Sequence, residues 1–190
     1  MWVLGISGSL RRNSLNSALL RAAAERLPAG AELVEFDRLR EIPPYDADDE
    51  AIATPEAVHE LRAAMREADA LLIATPEYNH SIPGVLKNAL DWASRPAGQG
   101  ALNGKPAAAT GASTGMFGAV WAQAETRKVL GALGGRVIET ELPVARADKL
   151  LVDGRLELDP QQSERLEALL AELVASAEEA EAFTRERVAA

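Results

Sequence analysis

Trp2-Val3-Leu4-Gly5-Ile6-Ser7-Gly8-Ser9-Leu10-Arg11-Arg12-Asn13-Ser14-Leu15-Asn16-Ser17 is the stretch that decides the architecture. A short apolar run breaks into a loop of hydroxyls, amides and a glycine, which leads straight into an amphipathic pattern over Ser14–Leu27. Apolar runs of this length bounded by turn residues read as buried strands. The same grammar recurs at Ala70–Ala74 and, more weakly because of its alanines, at Pro106–Thr110. Two further strands, Glu32–Phe36 and Arg136–Glu141, follow the helix-ending Pro28-Ala29-Gly30 and Gly134-Gly135.

Between the strands lie helical patterns at Pro55–Ala68, Pro83–Ala93, Phe117–Leu133 and Gln161–Glu186. Strands alternating with helices of this length imply βαβ units and a parallel sheet. Five of each in 190 residues predict a flavodoxin-like α/β fold, a three-layer sandwich whose five-stranded parallel sheet has order 2-1-3-4-5. With no repeat and no linker, residues 1–190 read as one domain. Thr54-Pro55 supplies a helix cap and a first-turn proline, and Asp153-Gly154 a tight turn between two short extended pieces. Arg38–Asp49 is polar and proline-bearing, and reads as a long surface loop. Leu166, Leu169, Leu170, Leu173 and Val174 form one stripe of the last helix, which therefore packs on the sheet.

Composition narrows the chemistry. Cysteine is absent, which excludes disulfides, zinc–thiolate sites and cysteine nucleophiles. Two histidines, His59 and His80, are too few for an ordinary catalytic zinc site. A net charge of −9 argues against nucleic acid or an anionic membrane as partner. The apolar start is too short for a signal-peptide core, and no stretch approaches the ~20 residues of a membrane span. The expectation is a soluble, cytoplasmic protein.

In an open parallel sheet, ligands bind beyond the carboxyl ends of the strands, where strand order reverses. The first such loop is Ser7–Ser17. Its backbone amides, its hydroxyls and the helix dipole favour a phosphate, and Arg11 and Arg12 neutralise it. The competing reading is a capped helix start with solvated arginines. A nucleoside-triphosphate loop is ruled out by the missing Gly-Lys-Ser/Thr, and G-x-G-x-x-G is missing too.

The second loop reads Thr75-Pro76-Glu77-Tyr78-Asn79-His80-Ser81-Ile82-Pro83-Gly84-Val85-Leu86-Lys87-Asn88-Ala89-Leu90-Asp91-Trp92. Together with Gly8-Ser9-Leu10-Arg11 and Ser14-x-Asn16, it closely resembles the NADPH-dependent FMN reductase family, over roughly residues 1–135. That resemblance implies FMN as cofactor and NADPH or NADH as co-substrate. It assigns the FMN phosphate to Ser9, Arg11, Ser14 and Asn16, with Ser17 as a neighbour. It places the isoalloxazine ring against Pro76, Glu77, Tyr78 and Asn79. Ser113, Thr114 and Gly115, in the small-residue loop Thr110–Gly118, fall near the ring and ribityl chain.

The activity so implied is ping-pong hydride transfer from NADPH through FMN to a small-molecule electron acceptor, such as a quinone, an azo compound, free flavin or a metal oxyanion. No side-chain acid or base is needed, so no catalytic residue and no metal ligand is named. A homodimer or homotetramer is implied as well. Relatives commonly carry a glycine pair, an arginine and an aromatic where this chain has Gly118-Ala119-Val120-Trp121, which leaves Trp121, Gln123 and Arg127 as candidates for facing a neighbouring subunit. His80 is either a donor near the acceptor or a solvated loop residue; His59 reads as surface. Asp91-Trp92, Lys87 and Asn88 read as structural or interfacial. Two other functions stay open: a flavodoxin-type carrier, though its T-x-T-G-x-T loop is absent, and a flavin-binding regulatory protein.

Overall fold

The computed structural model describes residues 1–189. In chain order its elements are β1 (Trp2–Ser7), α1 (Leu15–Ala24), β2 (Glu32–Glu35), α2 (Ala47–Ile52), α3 (Glu56–Glu67), β3 (Ala70–Ala74) and α4 (Gly84–Ala93). They continue with β4 (Pro106–Ala112), α5 (Val120–Ala132), β5 (Arg136–Val137), β6 (Pro143–Val144), β7 (Leu151–Val152), β8 (Arg155–Leu156) and α6 (Pro160–Ala189). The main sheet is parallel with order β2-β1-β3-β4-β5, the flavodoxin-like arrangement expected.

Side chains alternate across the sheet with the period-2 of a strand, so each central strand feeds two cores. Val3, Leu72 and Ala108 point to the layer formed by α1 and α6, where Leu19, Leu20, Leu166, Leu169, Leu170 and Leu173 meet them. Leu4, Ile6, Leu71 and Ile73 point the other way, to Val58, Leu61 and Met65 of α3, Leu86 and Leu90 of α4 and Leu130 of α5. Burying each leucine is worth roughly 1.5–3 kcal/mol, which explains why short strands and marginal helices hold together. The alanines of β4 leave room for helices close on both faces.

Register sets where the loops emerge. Ser7 pairs with Ala74, and Ala74 with Thr110, so β1, β3 and β4 end at one level. Hydrogen bonds continue past the strand ends, from Gly8 N to Ala74 O at 2.8 Å and from Thr75 N to Thr110 O at 2.9 Å. A Cβ at Gly111 would lie 2.6 Å from the Thr75 carbonyl oxygen, so the close approach of these two loops needs that glycine.

Several local expectations are corrected. The fifth strand is only two residues long, because beyond Val137 the β4 edge is taken over by β6, which pairs with Gly111 and Ala112. Arg38–Asp49 is not a plain loop: it holds a 3-10 turn at Leu39–Glu41 and the start of α2, capped by Asp46. It is strapped to α4, since Asn88 Nδ2 and Trp92 Nε1 both donate to Pro43 O and Asn88 Oδ1 accepts from Tyr45 N. Asn88 and the fully buried Trp92 are thus structural, while Lys87 pairs with Asp91 at the surface. Thr54 does not cap α3, whose first turn follows Pro55; its hydroxyl lies 3.4 Å from Arg62 Nη1 instead. Gln123 is 1% exposed and donates to Gly118 O, so it does not face outward; Arg127 is partly buried and pairs with Glu141, and Trp121 is exposed.

Candidate active site

The loop after β1 is built around Ser14, the N-cap of α1, whose hydroxyl accepts from Asn16 N at 3.1 Å and Ser17 N at 3.2 Å. A hydroxyl at this position satisfies two of the four amides that every helix start leaves open. Ser7 Oγ lies 3.4 Å from Ser14 Oγ and accepts from Ser9 N, and Ser9 Oγ accepts from Arg11 N. Among the described residues, no hydrogen bond within the chain takes up the amides of Arg12, Asn13 or Leu15. Arg11 is exposed and has no ion pair among the described residues. Open amides, a hydroxyl and an arginine around one helix N-terminus are the donor set a phosphate requires.

Asn16 joins this loop to β4. Its Nδ2 donates to Ala112 O at 3.1 Å and its Oδ1 accepts from Ala112 N at 2.9 Å. The amide is almost fully buried and largely committed to that backbone pair. Ser17 Oγ is turned toward β2, where it donates to Glu35 Oε1 at 2.9 Å.

The loop after β3 closes into a two-residue hairpin. Tyr78 N donates to Ser81 O and Ser81 N to Tyr78 O, with Asn79 and His80 both at positive φ, 52° and 61°. This is the backbone of a type I′ turn, which asparagine tolerates and histidine adopts at a cost. Tyr78 and His80 are thereby pushed outward. Glu77 lies below them, its Oε2 receiving the amides of Trp121 and Ala122 and its Oε1 3.7 Å from His80 Nδ1. The loop after β4 is pinned by the β6 segment: Ser113 N donates to Val144 O, and Arg146 N to Gly115 O.

The three loops meet in one cleft of about 110 Å³. Ser9, Arg11 and Asn16 line it from the first loop, Pro76, Glu77 and Tyr78 from the second, and Ser113 and Thr114 from the third. Leu15 and Ala112 complete its floor. Of the remaining predicted residues, Ser14 is buried behind the cleft and Ser17 lines a neighbouring hollow near Glu35. Asn79 and Gly115 are exposed on their loops, outside the cleft. Arg40, unnoticed in the sequence, donates to Leu10 O at 2.6 Å and braces the first loop from outside. No local pattern marks it; only the tertiary approach of residues 39–41 does. A larger cavity of about 760 Å³ between α1 and the β7–β8 hairpin holds none of these residues, and its rim is held by Arg21 on Gly154 O and Arg155 on Glu25.

A cleft past the carboxyl ends of β1, β3 and β4, at the point where strand order reverses, defines a flavodoxin-like ligand-binding protein. The family model for NADPH-dependent FMN reductases matches residues 1–149, and the chain belongs to that family. It is 52% identical over 128 residues to an NAD(P)H-dependent FMN reductase of Pseudomonas aeruginosa, covering 67% of this chain and 68% of that protein. It is 44% identical over 124 residues to a 2-hydroxy-1,4-benzoquinone reductase of a Burkholderia species, covering 65% and 67%. Among solved structures, the flavoenzyme NAD(P)H:(acceptor) oxidoreductase FerB of Paracoccus denitrificans superposes with a TM-score of 0.81 at 35% identity, over 94% of this chain and 97% of that one. The chain is an NAD(P)H-dependent reductase of the FMN and quinone reductase kind, which sets aside the carrier and regulatory readings. No helix among the described residues is long and apolar enough to cross a membrane, and no group of three or more metal-ligating side chains is present among them.

Proposed function

We propose that the three-loop cleft holds FMN and that the protein passes reducing equivalents from NADPH or NADH to small quinone-like acceptors. When bound, FMN supplies the hydride-accepting and hydride-donating chemistry; the protein's part is to bind and orient. Arg11, the hydroxyl of Ser9 and the open amides of Arg12, Asn13 and Leu15 receive the phosphate. Pro76, Glu77 and Tyr78 on one side, and Ser113 and Thr114 on the other, flank the ring. Ser14 and Asn16 act behind them: one shapes the helix start, the other ties it to β4.

The observation that carries this reading is the convergence of open amides and an arginine with the Pro76–Tyr78 turn in one cleft. The two relatives, an FMN reductase and a benzoquinone reductase, fit the same chemistry. A homo-oligomer is part of the proposal through the family only.

The test is titration of flavin-free protein with FMN, followed by anaerobic addition of NADPH and of NADH. Saturable one-to-one uptake and rapid bleaching of the flavin band are the expected results. Protein that takes up no FMN at high excess overturns the reading.

A further inference from the structure

Among the residues that line the three-loop cleft, two carry charge: Arg11 from the first loop and Glu77 from the second. Arg11 faces the phosphate end, where the charge of FMN is the same in both redox states. Glu77 belongs to the turn assigned to the ring, where the charge changes. On taking up two electrons and one proton, the neutral isoalloxazine becomes an anion at neutral pH. The Glu77 carboxylate is fixed in place before any flavin arrives. Its side chain is 14% exposed, and Oε2 accepts from the amides of Trp121 and Ala122 at 3.0 and 3.1 Å. Those donors are the backbone of the 13-residue α5, so the fold sets the position of the charge. No lysine or arginine pairs with it among the described residues. The His80 imidazole, with Nδ1 3.7 Å from Oε1, is 74% exposed and screened by solvent.

We propose that Glu77 sets the reduction potential of the bound flavin: its fixed negative charge disfavours the anionic reduced ring and so lowers the potential. This rests on the FMN reading above. Two like charges in a cleft partly shielded from water repel far more strongly than they do in bulk solvent. The reduced protein is thereby a stronger electron donor, whichever acceptor it meets. Capping α5 explains the two hydrogen bonds, but a glutamine oxygen accepts them as well. What glutamine lacks is the charge, and the charge is what the potential reads.

The experiment measures the two-electron midpoint potential of bound FMN in wild type, Glu77→Gln and Glu77→Asp. Slow reduction by xanthine and xanthine oxidase against a reference dye, at one pH and ionic strength, gives the value without the protein's own turnover. Glu77→Gln is expected to favour reduction about tenfold, a rise of about 30 mV for a two-electron couple. Glu77→Asp keeps the charge and is expected to stay within twofold of wild type. A Glu77→Gln change of less than twofold, or a fall in potential, overturns the proposal. An equal rise in Glu77→Asp overturns it too, because the cause is then a disturbed turn and not the charge. Should Glu77→Gln fail to load, wild type decides: bound FMN is expected to be harder to reduce than free FMN, and easier reduction overturns the proposal. Wild-type protein that takes up no FMN sinks the cofactor reading itself, and this proposal with it.

Discussion

Glu77 Oε2 accepts hydrogen bonds from the backbone amides of Trp121 and Ala122, at 3.0 and 3.1 Å, and so caps a helix that begins more than forty residues later. The residue in the N-cap position of α5 is Ala119, which has no side chain to offer and sits at φ 61°. Glu77 delivers from another loop what Ser, Thr, Asp or Asn ordinarily supplies locally, and its charge suits the positive end of the helix. One carboxylate therefore couples the Pro76–Tyr78 turn to α5.

Removing that cap has two consequences. Glu77→Ala is expected to cost about 1 kcal/mol of folding stability and to weaken FMN binding, since the turn loses its tether. Glu77→Gln keeps an acceptor and loses only the charge–dipole part, roughly 0.3–1 kcal/mol. Urea unfolding of the flavin-free protein and fluorescence titration with FMN measure the two effects separately.

Asn16 presents a different balance, because both ends of its amide are matched to Ala112. Asn16→Ala leaves a buried N–H and C=O unpaired and is expected to cost about 1–3 kcal/mol. Asn16→Asp sets an acceptor against the Ala112 carbonyl and does no better at neutral pH. The check is the shift in thermal midpoint of flavin-free protein. A role purely in phosphate contact predicts no such shift.

Arg11 is the opposite case, exposed and without an ion pair among the described residues. Arg11→Ala is expected to leave apo stability within about 0.5 kcal/mol. FMN affinity is expected to fall by about one to two orders of magnitude, the worth of a charge-assisted bond to phosphate. Arg11→Lys recovers part of it. Riboflavin, which lacks the phosphate, should bind wild type and variant alike.

The α2–α3 corner makes part of the stability pH-dependent. Burial pushes the Glu50 carboxyl up, but hydrogen bonds from Arg95, Arg62 and Tyr45 together bring it below its ordinary value of 4.5. A carboxylate held down in the folded state contributes stability above its unfolded value, and that contribution disappears as pH falls through the folded one. Unfolding midpoints are therefore expected to drop below about pH 4.5, and Glu50→Gln should flatten that acid limb. The same variant strands the buried Arg62 guanidinium, 2.9 Å from Glu50 in wild type, and should cost about 3 kcal/mol at neutral pH.

Much of the molecule is written locally. Apolar runs at Trp2–Ile6 and Ala70–Ala74, each followed by turn chemistry and an amphipathic helix, are enough for a parallel sheet, because a strand buried on both faces must be continuously apolar. The leucine stripe of α6 declares its packing in the same way. What stayed illegible depends on who arrives from elsewhere. The fifth strand stops after Val137 because β6 competes for the β4 edge, and the polar stretch before α2 is ordered by Asn88 and Trp92, which lie beyond it in the chain.

The amino-acid sequence alone determined the doubly wound sheet, the three loops at its carboxyl edge and the hydroxyls, amides and arginines of a phosphate-type loop, because periodicity and motif are properties of neighbours in the chain. Tertiary structure alone decided which of those residues face the cleft, that Asn16 braces β4 while Ser17 turns to Glu35, that Gln123 is inward, and that Glu77 serves α5. A polar side chain spends its hydrogen bonds on whatever the fold brings within about 3 Å, and that partner lies anywhere in the chain.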